Sequence, residues 1–318
     1  MHFFSVSKFN NAFTILQNIE RLKSFYKKFN YSLVIPSQDK DKFEKIFKSK
    51  SFCQLKLIPE TEIISLEEFR SIYELIVNEN QFNIKKCQIS ANLGWYYQQV
   101  LKIAFAIENG STNDLVMIDA DTILIRKLDF FHKNNSIIYL TPYERNIPYM
   151  KISELIFNIK FINWYSSTSQ LFSTTTTEIE FLRKSLINFQ IKERGESIAN
   201  WISRIVLKSV LMEFNDLNGS FFSEQDLIST SNQLNGSNNL QMISFFRFNL
   251  KNKLTSNQIL IAKLFGISHI TYEARLINES TENANYIKFF IILFHNLYLN
   301  YKNKIIKNFK KQRIIKIY

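Results

Sequence analysis

The first 140 residues alternate short apolar segments with segments whose apolar residues recur at helical spacing. Residues 31–36, Tyr-Ser-Leu-Val-Ile-Pro, are typical of a buried strand, whereas Phe13, Leu16, Ile19 and Leu22 would share one face of a helix. Further strands are predicted at 2–7, 54–58, 114–118 and 136–140, and further helices at 40–47, 65–78 and 94–107. This order predicts an α/β fold with a mainly parallel, twisted sheet flanked by helices, in which ligands bind at the carboxyl ends of the strands.

The second half of the chain is less regular. Helical spacing recurs at residues 178–189, 197–214 and 257–265, and Gly266 favours the end of the last of these helices. No internal repeat occurs, and no linker separates two independent units. We therefore predict one domain over residues 1–284, followed by a basic amphipathic helix over residues 285–318.

The charge of the chain is concentrated at its end. The formal net charge is +12, and seven basic residues lie between positions 302 and 316. Without this segment the chain is only mildly basic, which argues against a protein whose whole surface binds nucleic acid, so we expect no nucleic-acid partner.

Several sequence signals indicate a protein of the reducing cytoplasm. Cys53 and Cys87 form no CxxC pair, which excludes zinc clusters and disfavours a disulfide framework. The first residues lack the pattern of a signal peptide. No uninterrupted apolar run approaches the ~20 residues that span a bilayer.

The clearest chemical signal is an acidic pair after a strand. The apolar segment 115–118 runs directly into Asp119-Ala120-Asp121-Thr122. Residues two apart in an extended chain point the same way, so both carboxylates can converge on one cation once the strand gives way to a turn, while Ala120 leaves space for a ligand. A hard divalent cation would then bridge to a diphosphate. Two alternatives are ordinary loop acids and a phosphatase of the haloacid dehalogenase type, although that family continues its DxD with Gly-Thr near the start of its domain.

The predicted helix before this strand carries a second pattern. Trp95, Gln98, Gln99 and Lys102 lie at positions i, i+3, i+4 and i+7, so they share one helical face. An aromatic ring, two amides and a cation suit a sugar or a diphosphate. The alternative is a half-exposed helix in which Trp95 is buried.

These two segments together resemble a known family. A Gly-Trp-x-x-Gln-Gln-x-x-Lys helix followed by Asp-Ala-Asp-Thr is similar to bacterial glycosyltransferase-like proteins encoded with surface-polysaccharide genes, which have the GT-A nucleotide-diphospho-sugar transferase fold. The similarity covers roughly residues 1–275 and is patchy between 140 and 220. It extends to the segments Val34-Ile35-Pro36, Ile58-Pro59-Glu60 and Phe222-Ser223-Glu224-Gln225-Asp226.

The resemblance implies a nucleotide-sugar donor, such as a UDP- or GDP-sugar, and a glycan or lipid-linked acceptor. Residues 1–140 would bind the donor and residues 141–284 the acceptor. Asp119 and Asp121 would hold Mn²⁺ or Mg²⁺, which neutralises the leaving diphosphate. Lys102 would add a second positive charge there. The remaining donor contacts are expected from the strand ends and the neighbouring helix, at Val6, Ser7, Pro36, Ser37, Trp95, Gln98, Gln99 and Ala120.

Three more residues are candidates for chemistry. Glu224 and Asp226 are candidates for the general base that deprotonates an acceptor hydroxyl, and the motif position favours Glu224. The alternative is that Glu224 caps a helix over residues 225–229, with Ser223 as its N-cap. His269 is a candidate third metal ligand, and its alternative is a structural histidine near a turn.

The basic segment 285–318 alternates apolar and basic residues, which is typical of a helix that lies on an anionic inner leaflet. A C-terminal helix packed on the domain is the alternative. Two other functions stay open. One is a nucleotidyltransferase, which would be expected to carry a Gly-rich phosphate loop that residues 1–40 lack. The other is a non-catalytic nucleic-acid or membrane-surface binder, which leaves the acidic pair unexplained.

Overall fold

The computed structural model describes residues 1–48, 55–79, 92–141, 146–161, 166–237, 239–243, 245–249, 256–273 and 314–316. The helices are α1 (Ala12–Phe25), α2 (Lys40–Lys48), α3 (Leu66–Glu79), α4 (Leu93–Gly110), α5 (Ile147–Phe157), α6 (Thr176–Phe189), α7 (Ile198–Phe214), α8 (Glu224–Leu234) and α9 (Ser256–Leu264). The strands are β1 (His2–Val6), β2 (Asn30–Ile35), β3 (Leu55–Pro59), β4 (Leu115–Ile118), β5 (Thr122–Leu124), β6 (Phe131–His132), β7 (Asn135–Ser136), β8 (Ile138–Leu140), β9 (Ile159–Phe161), β10 (Leu171–Thr174), β11 (Leu240–Met242), β12 (Phe245–Asn249), β13 (His269–Glu273) and β14 (Ile314–Lys316).

The central sheet has five strands in the order β10-β4-β1-β2-β3. The strands β4, β1, β2 and β3 are parallel, and β10 is antiparallel to β4. The prediction of a mainly parallel sheet flanked by helices is confirmed. Because parallel strands end at the same edge, Ile118, Val6, Ile35 and Pro59 finish beside one another, and Asp119 follows directly.

Helices cover both faces of this sheet. On one face Phe4, Met117 and Phe172 pack in a cluster with α3, α4, α6 and α7. On the other face Phe3 and Val116 pack with α1 and α2. The Phe4 ring lies 4.6 Å from that of Phe105 in α4, centroid to centroid, and such aromatic pairs contribute about 0.5–1.5 kcal/mol beyond area burial. This packing fixes α4 against the strand that precedes the acidic pair.

A second small sheet begins immediately after the acidic pair. Its order is β12-β13-β5, with β13 antiparallel to β5 and parallel to β12. Ile123, Ile125 and Ile270 form a separate apolar cluster with α9. The Tyr272 amide donates to the Asp121 carbonyl at 2.9 Å, so the residues on both sides of the acidic pair are anchored in sheets.

The second half contains elements that the sequence pattern did not predict. Helix α5 and the strands β9, β11, β12 and β13 are among them, and α8 continues to Leu234, beyond the helix that the sequence suggests over residues 225–229. The predicted stop after α9 is confirmed, since Gly266 has a φ of +80°. No helix in the described parts of the chain is both long enough and apolar enough to cross a membrane.

The prediction of a helix that continues to the end of the chain is wrong at residues 314–316. This segment is β14, which pairs antiparallel with β9, so that Ile314 lies opposite Phe161. The β-branched pair Ile314-Ile315 suits a pleated edge better than a helix. The rest of segment 285–318 lies outside the described residues.

Candidate functional site

The acidic pair sits in a tight turn between β4 and β5. The Asp119 amide donates to the Gln170 carbonyl at 2.9 Å, and the Thr122 amide donates back to the Asp119 carbonyl at 2.9 Å. Ile118 is fully buried, whereas Asp119 and Asp121 are partly exposed. Both acids therefore follow a buried strand and lie at the carboxyl edge of the sheet, as the sequence predicts.

Lys102 connects this turn to α8. Its Nζ atom donates to Asp119 Oδ1 at 2.6 Å and to Glu224 Oε1 at 2.8 Å. The Lys102 side chain is 5% exposed and that of Glu224 is 3% exposed. Burial alone would lower the pKa of Lys102, but the two carboxylates outweigh it and raise that pKa. Burial raises the pKa of Glu224, and the Lys102 ammonium opposes this effect.

Two glutamines complete the contacts that α8 makes with α4 and with the acidic turn. The Glu224 amide donates to Gln99 Oε1 at 3.2 Å. Gln225 Nε2 donates to Asp119 Oδ2 at 3.2 Å, while Gln225 Oε1 accepts from the Gln170 amide at 3.1 Å. Both carboxylate oxygens of Asp119 are thus hydrogen-bonded. Sequence reasoning missed Gln225, although its place between two acids in the segment 223–226 was a usable signal.

Asp226 holds the loop that precedes β10. Its carboxylate accepts from the Ser167 amide at 2.9 Å, from the Ser167 hydroxyl at 2.8 Å and from the Thr168 hydroxyl at 2.9 Å. Burial raises the pKa of Asp226, and these donors oppose the rise. The predicted N-cap of α8 is confirmed, because Ser223 Oγ accepts from the Asp226 amide at 3.2 Å. A base role for Asp226 stays a prediction.

The predicted nucleotide contacts lie along the same edge of the sheet. Val6 ends β1, the direct neighbour of β4, and Ser7 follows it, while Pro36 and Ser37 follow β2, one strand further. The Ser7 amide donates to the Val34 carbonyl at 2.9 Å. Together with the buried Ala120, these residues form a row from the acidic turn outward, and their contact with a nucleotide stays a prediction.

The predicted face of α4 divides into two parts. Gln99 and Lys102 are buried against Asp119 and Glu224. Trp95 and Gln98 are half-buried, and Trp95 packs beside the main apolar cluster. The part near the acidic turn supplies polar contacts, and the part nearer the start of the helix leaves an aromatic ring and an amide partly open to solvent.

His269 lies inside the second sheet. It is fully buried, pairs in register with Leu124, and stacks on Phe245 with ring centroids 4.5 Å apart. Ser268 Oγ and His269 Nδ1 are 2.8 Å apart. Along β5, Leu124 is three residues from Asp121, and a metal-ligand role for His269 stays a prediction.

A divalent ion at the acidic turn would depend on oxygen ligands. Among the described residues, no group of three or more His, Cys, Asp or Glu side chains is arranged to hold a metal ion. Asp119 and Asp121 nevertheless fit a hard cation whose remaining ligands are water and phosphate oxygens, which is how Mg²⁺ is usually bound beside phosphates.

The fold and the site define an α/β protein with a buried carboxylate–ammonium cluster at the carboxyl edge of a mainly parallel sheet. Residues 13–185 match the model of a family described as "Family of unknown function (DUF6492)", and the chain belongs to that family.

No curated protein matches the sequence. Among solved structures, an active-site mutant of LgtC has a TM-score of 0.42 and 9% identity, covering 86% of this chain and 87% of that one. Galactosyltransferase LgtC with donor and acceptor sugar analogues has a TM-score of 0.40 and 7% identity, covering 93% and 96%. Mouse xyloside xylosyltransferase 1 in its apo form has a TM-score of 0.37 and 12% identity, covering 86% and 98%.

Proposed function

We propose that this protein is a GT-A-like glycosyltransferase that moves a sugar from a nucleotide-diphospho-sugar to a glycan or lipid-linked acceptor. One observation carries the proposal. Asp119 and Asp121 follow a buried strand at the carboxyl edge of the sheet, next to the strand ends of β1 and β2, and Asp119 is held in a buried charge cluster with Lys102 and Glu224. Open α/β sheets bind their ligands at this edge.

Asp119 and Asp121 would hold the divalent ion, Mn²⁺ or Mg²⁺. When bound, the ion stabilises the negative charge that develops on the leaving diphosphate. Asp121 is partly exposed, and the Thr122 hydroxyl donates to its Oδ1 at 3.4 Å. The ion would therefore lie on the solvent side of the turn, because Asp119 Oδ1 already faces the buried Lys102.

The strand ends and α4 would bind the donor. Val6, Ser7, Pro36 and Ser37 lie one and two strands from β4, so a nucleoside along this row would have its phosphates at the acidic turn. Trp95, Gln98, Gln99 and Ala120 would be the remaining donor contacts. In this arrangement residues 1–140 serve the donor and residues 141–284 the acceptor.

Glu224 is the proposed general base. A carboxylate whose pKa is raised by burial is better matched to proton transfer near neutral pH than an ordinary glutamate. Glu224 lies in the first turn of α8 and shares the ammonium of Lys102 with Asp119. The proposed base and the proposed metal ligand are therefore parts of one cluster.

The proposed binding of a lipid-linked acceptor also implies contact with a membrane surface. Residues 283–318 contain eight Lys or Arg residues and no Asp or Glu, which suits an anionic inner leaflet, where a lipid-linked acceptor would be available. We propose a cytoplasmic protein that binds this surface peripherally. Flotation with anionic liposomes, with and without residues 285–318, tests it, and unchanged partitioning would reject the membrane role.

The catalytic proposal is tested by nucleotide release from UDP-, GDP- and CMP-sugars with and without Mn²⁺. Wild type should release nucleotide from one donor class in a metal-dependent way, and Asp121→Ala should abolish the release while keeping the thermal unfolding transition. Glu180→Ala, a partly exposed carboxylate of α6, is the matched control. Retained activity in Asp121→Ala would reject the assignment. Release of pyrophosphate from a nucleoside triphosphate would indicate a nucleotidyltransferase instead.

A further inference from the structure

Lys102 is a buried cation shared by two carboxylates from different parts of the fold. Asp119 follows β4, and Glu224 begins α8. Each offers one oxygen within 2.8 Å of the same Nζ atom, so the two carboxylates face each other across the ammonium. The side chains of Lys102 and Glu224 are almost completely buried, so solvent screens this arrangement weakly.

The frame around the ammonium is held independently of Lys102. Gln225 Nε2 donates to the second oxygen of Asp119 at 3.2 Å. The backbone of Glu224 is held by Gln99, which lies three residues before Lys102 on α4. Replacing the lysine by an uncharged side chain would therefore leave two carboxylates close together and still oriented toward the same position.

The position of the Lys102 ammonium suits either a positively charged side chain or a metal ion. A buried carboxylate pair without a counter-ion is strongly unfavourable, and a divalent ion with oxygen ligands is the obvious substitute for an ammonium. Lys102 thus decides whether Glu224 is available to the metal. With the lysine present, Glu224 is neutralised from within the protein. Without it, an ion could bind between Asp119 and Glu224, because both carboxylates face the position of the Lys102 Nζ atom.

We propose that Lys102 is a positioning residue that excludes Glu224 from the ligand set of the divalent ion and so keeps the metal site a two-aspartate site. The inference rests on the proposed function in one respect, namely that Asp119 and Asp121 hold an ion. Two aspartates already balance the two formal charges of the ion, whereas a third carboxylate without the Lys102 ammonium would leave the site with a net negative charge, which is unfavourable for binding a diphosphate. The same ion pair keeps Glu224 in place at the start of α8.

The test is direct Mn²⁺ binding, measured by electron paramagnetic resonance without nucleotide or acceptor. Lys102→Met should bind Mn²⁺ at least roughly tenfold more tightly than wild type, because a nearby positive charge is lost and the Glu224 carboxylate is no longer neutralised by it. Lys102→Arg keeps the charge and should bind with an affinity close to that of wild type. In the double variant with Lys102→Met and Glu224→Gln, one charge of each sign is removed, and the affinity should return to that of wild type.

Unchanged or weaker Mn²⁺ binding by folded Lys102→Met would overturn the inference. Should that variant fail to fold, the double variant decides, since a neutral buried pair is commonly tolerated. An affinity more than roughly tenfold from wild type in the double variant would equally overturn it. Transferase activity is scored separately, by nucleotide release from wild type. Failure there would remove the proposed function, while the Mn²⁺ comparison between variants would still decide the role of Lys102.

Discussion

Two buried carboxylates, separated by one residue at the start of α8, are stabilised in opposite ways. Glu224 faces an ammonium, with Lys102 Nζ at 2.8 Å from Oε1. Asp226 faces neutral donors, the amide and hydroxyl of Ser167 and the hydroxyl of Thr168. Both side chains are nearly inaccessible to solvent, and burial raises the pKa of both.

The difference separates two tasks within one helical turn. The ion pair joins α8 to the strand that carries the acidic turn, so Glu224 belongs to the candidate site. The hydrogen bonds of Asp226 reach loop 166–168 and fix the path of the chain into β10. A fixed loop in turn brings the Gln170 backbone to Asp119 and Gln225. Glu224 therefore has a proposed chemical role, while Asp226 supports the geometry around it.

Turnover should separate the two acids most strongly. Glu224→Gln is expected to slow sugar transfer to the acceptor, measured as nucleotide release, by about 10²–10⁴-fold. The reason is that an amide cannot accept the proton of an acceptor hydroxyl. Asp226→Asn keeps the size and part of the hydrogen bonding, so its turnover should stay within roughly tenfold of wild type. The measurement is kcat at saturating donor and acceptor. Equal losses in both variants would break the distinction between base and support.

The next largest effect is on stability, and it concerns the ion pair between Lys102 and Glu224. Lys102→Met leaves Glu224 and Asp119 without their buried counter-charge, and breaking such a pair costs about 3–5 kcal/mol of unfolding free energy. The double variant with Glu224→Gln should recover a large part of this loss, and urea unfolding at neutral pH measures both. A fully additive pair of mutations would show that the ion pair contributes no coupling energy.

How much of this site was predictable differs from residue to residue. The place of Asp119 and Asp121 follows from the apolar segment 115–118 alone, because a buried strand that ends in two acids must deliver them to the edge of a sheet. Lys102 was correctly grouped with Gln99 by helical spacing. Its partner Glu224 lies 122 residues further along the chain, and only the docking of α8 on α4 brings the two together.

The second half was less predictable for a physical reason. The strands β5 and β13 pair across a long stretch of sequence, and Thr122 and Thr271 give no apolar alternation by which to recognise them. Helix α5 begins with Pro148 in its first turn, a start signal that apolar spacing does not reveal. At residues 314–316 pairing with β9 prevails over a helical pattern, since the isoleucines there favour a strand.

Loop 166–168 allows a smaller test of the Asp226 contacts. Ser167→Ala removes one hydroxyl donor from the carboxylate but keeps the Ser167 amide and the Thr168 hydroxyl. The expected loss is about 1.5–3 kcal/mol of unfolding free energy, as for one hydrogen bond to a charged group. Mn²⁺ affinity should be unchanged in this variant. A change in metal binding would show that loop 166–168 affects the acidic turn, and the roles of Asp226 and Glu224 would then not be separate.

The smallest expected effect is a pH dependence that belongs to Asp226. Because burial raises the pKa of Asp226 above its ordinary value of 3.8, the folded protein holds this proton more tightly than the unfolded chain does. The contribution of Asp226 to stability is then fully present below the unfolded pKa and decreases as the pH rises through the folded pKa. As the pH rises from about 4, the unfolding free energy of wild type should therefore fall relative to that of Asp226→Asn. The fall should be about 1.4 kcal/mol for each unit by which the pKa of Asp226 is raised on folding. Urea unfolding of both proteins across this range measures it. A difference that grows in favour of wild type with rising pH would mean that the donors of Ser167 and Thr168 prevail over burial, which would make Asp226 a carboxylate stabilised in its ionised form.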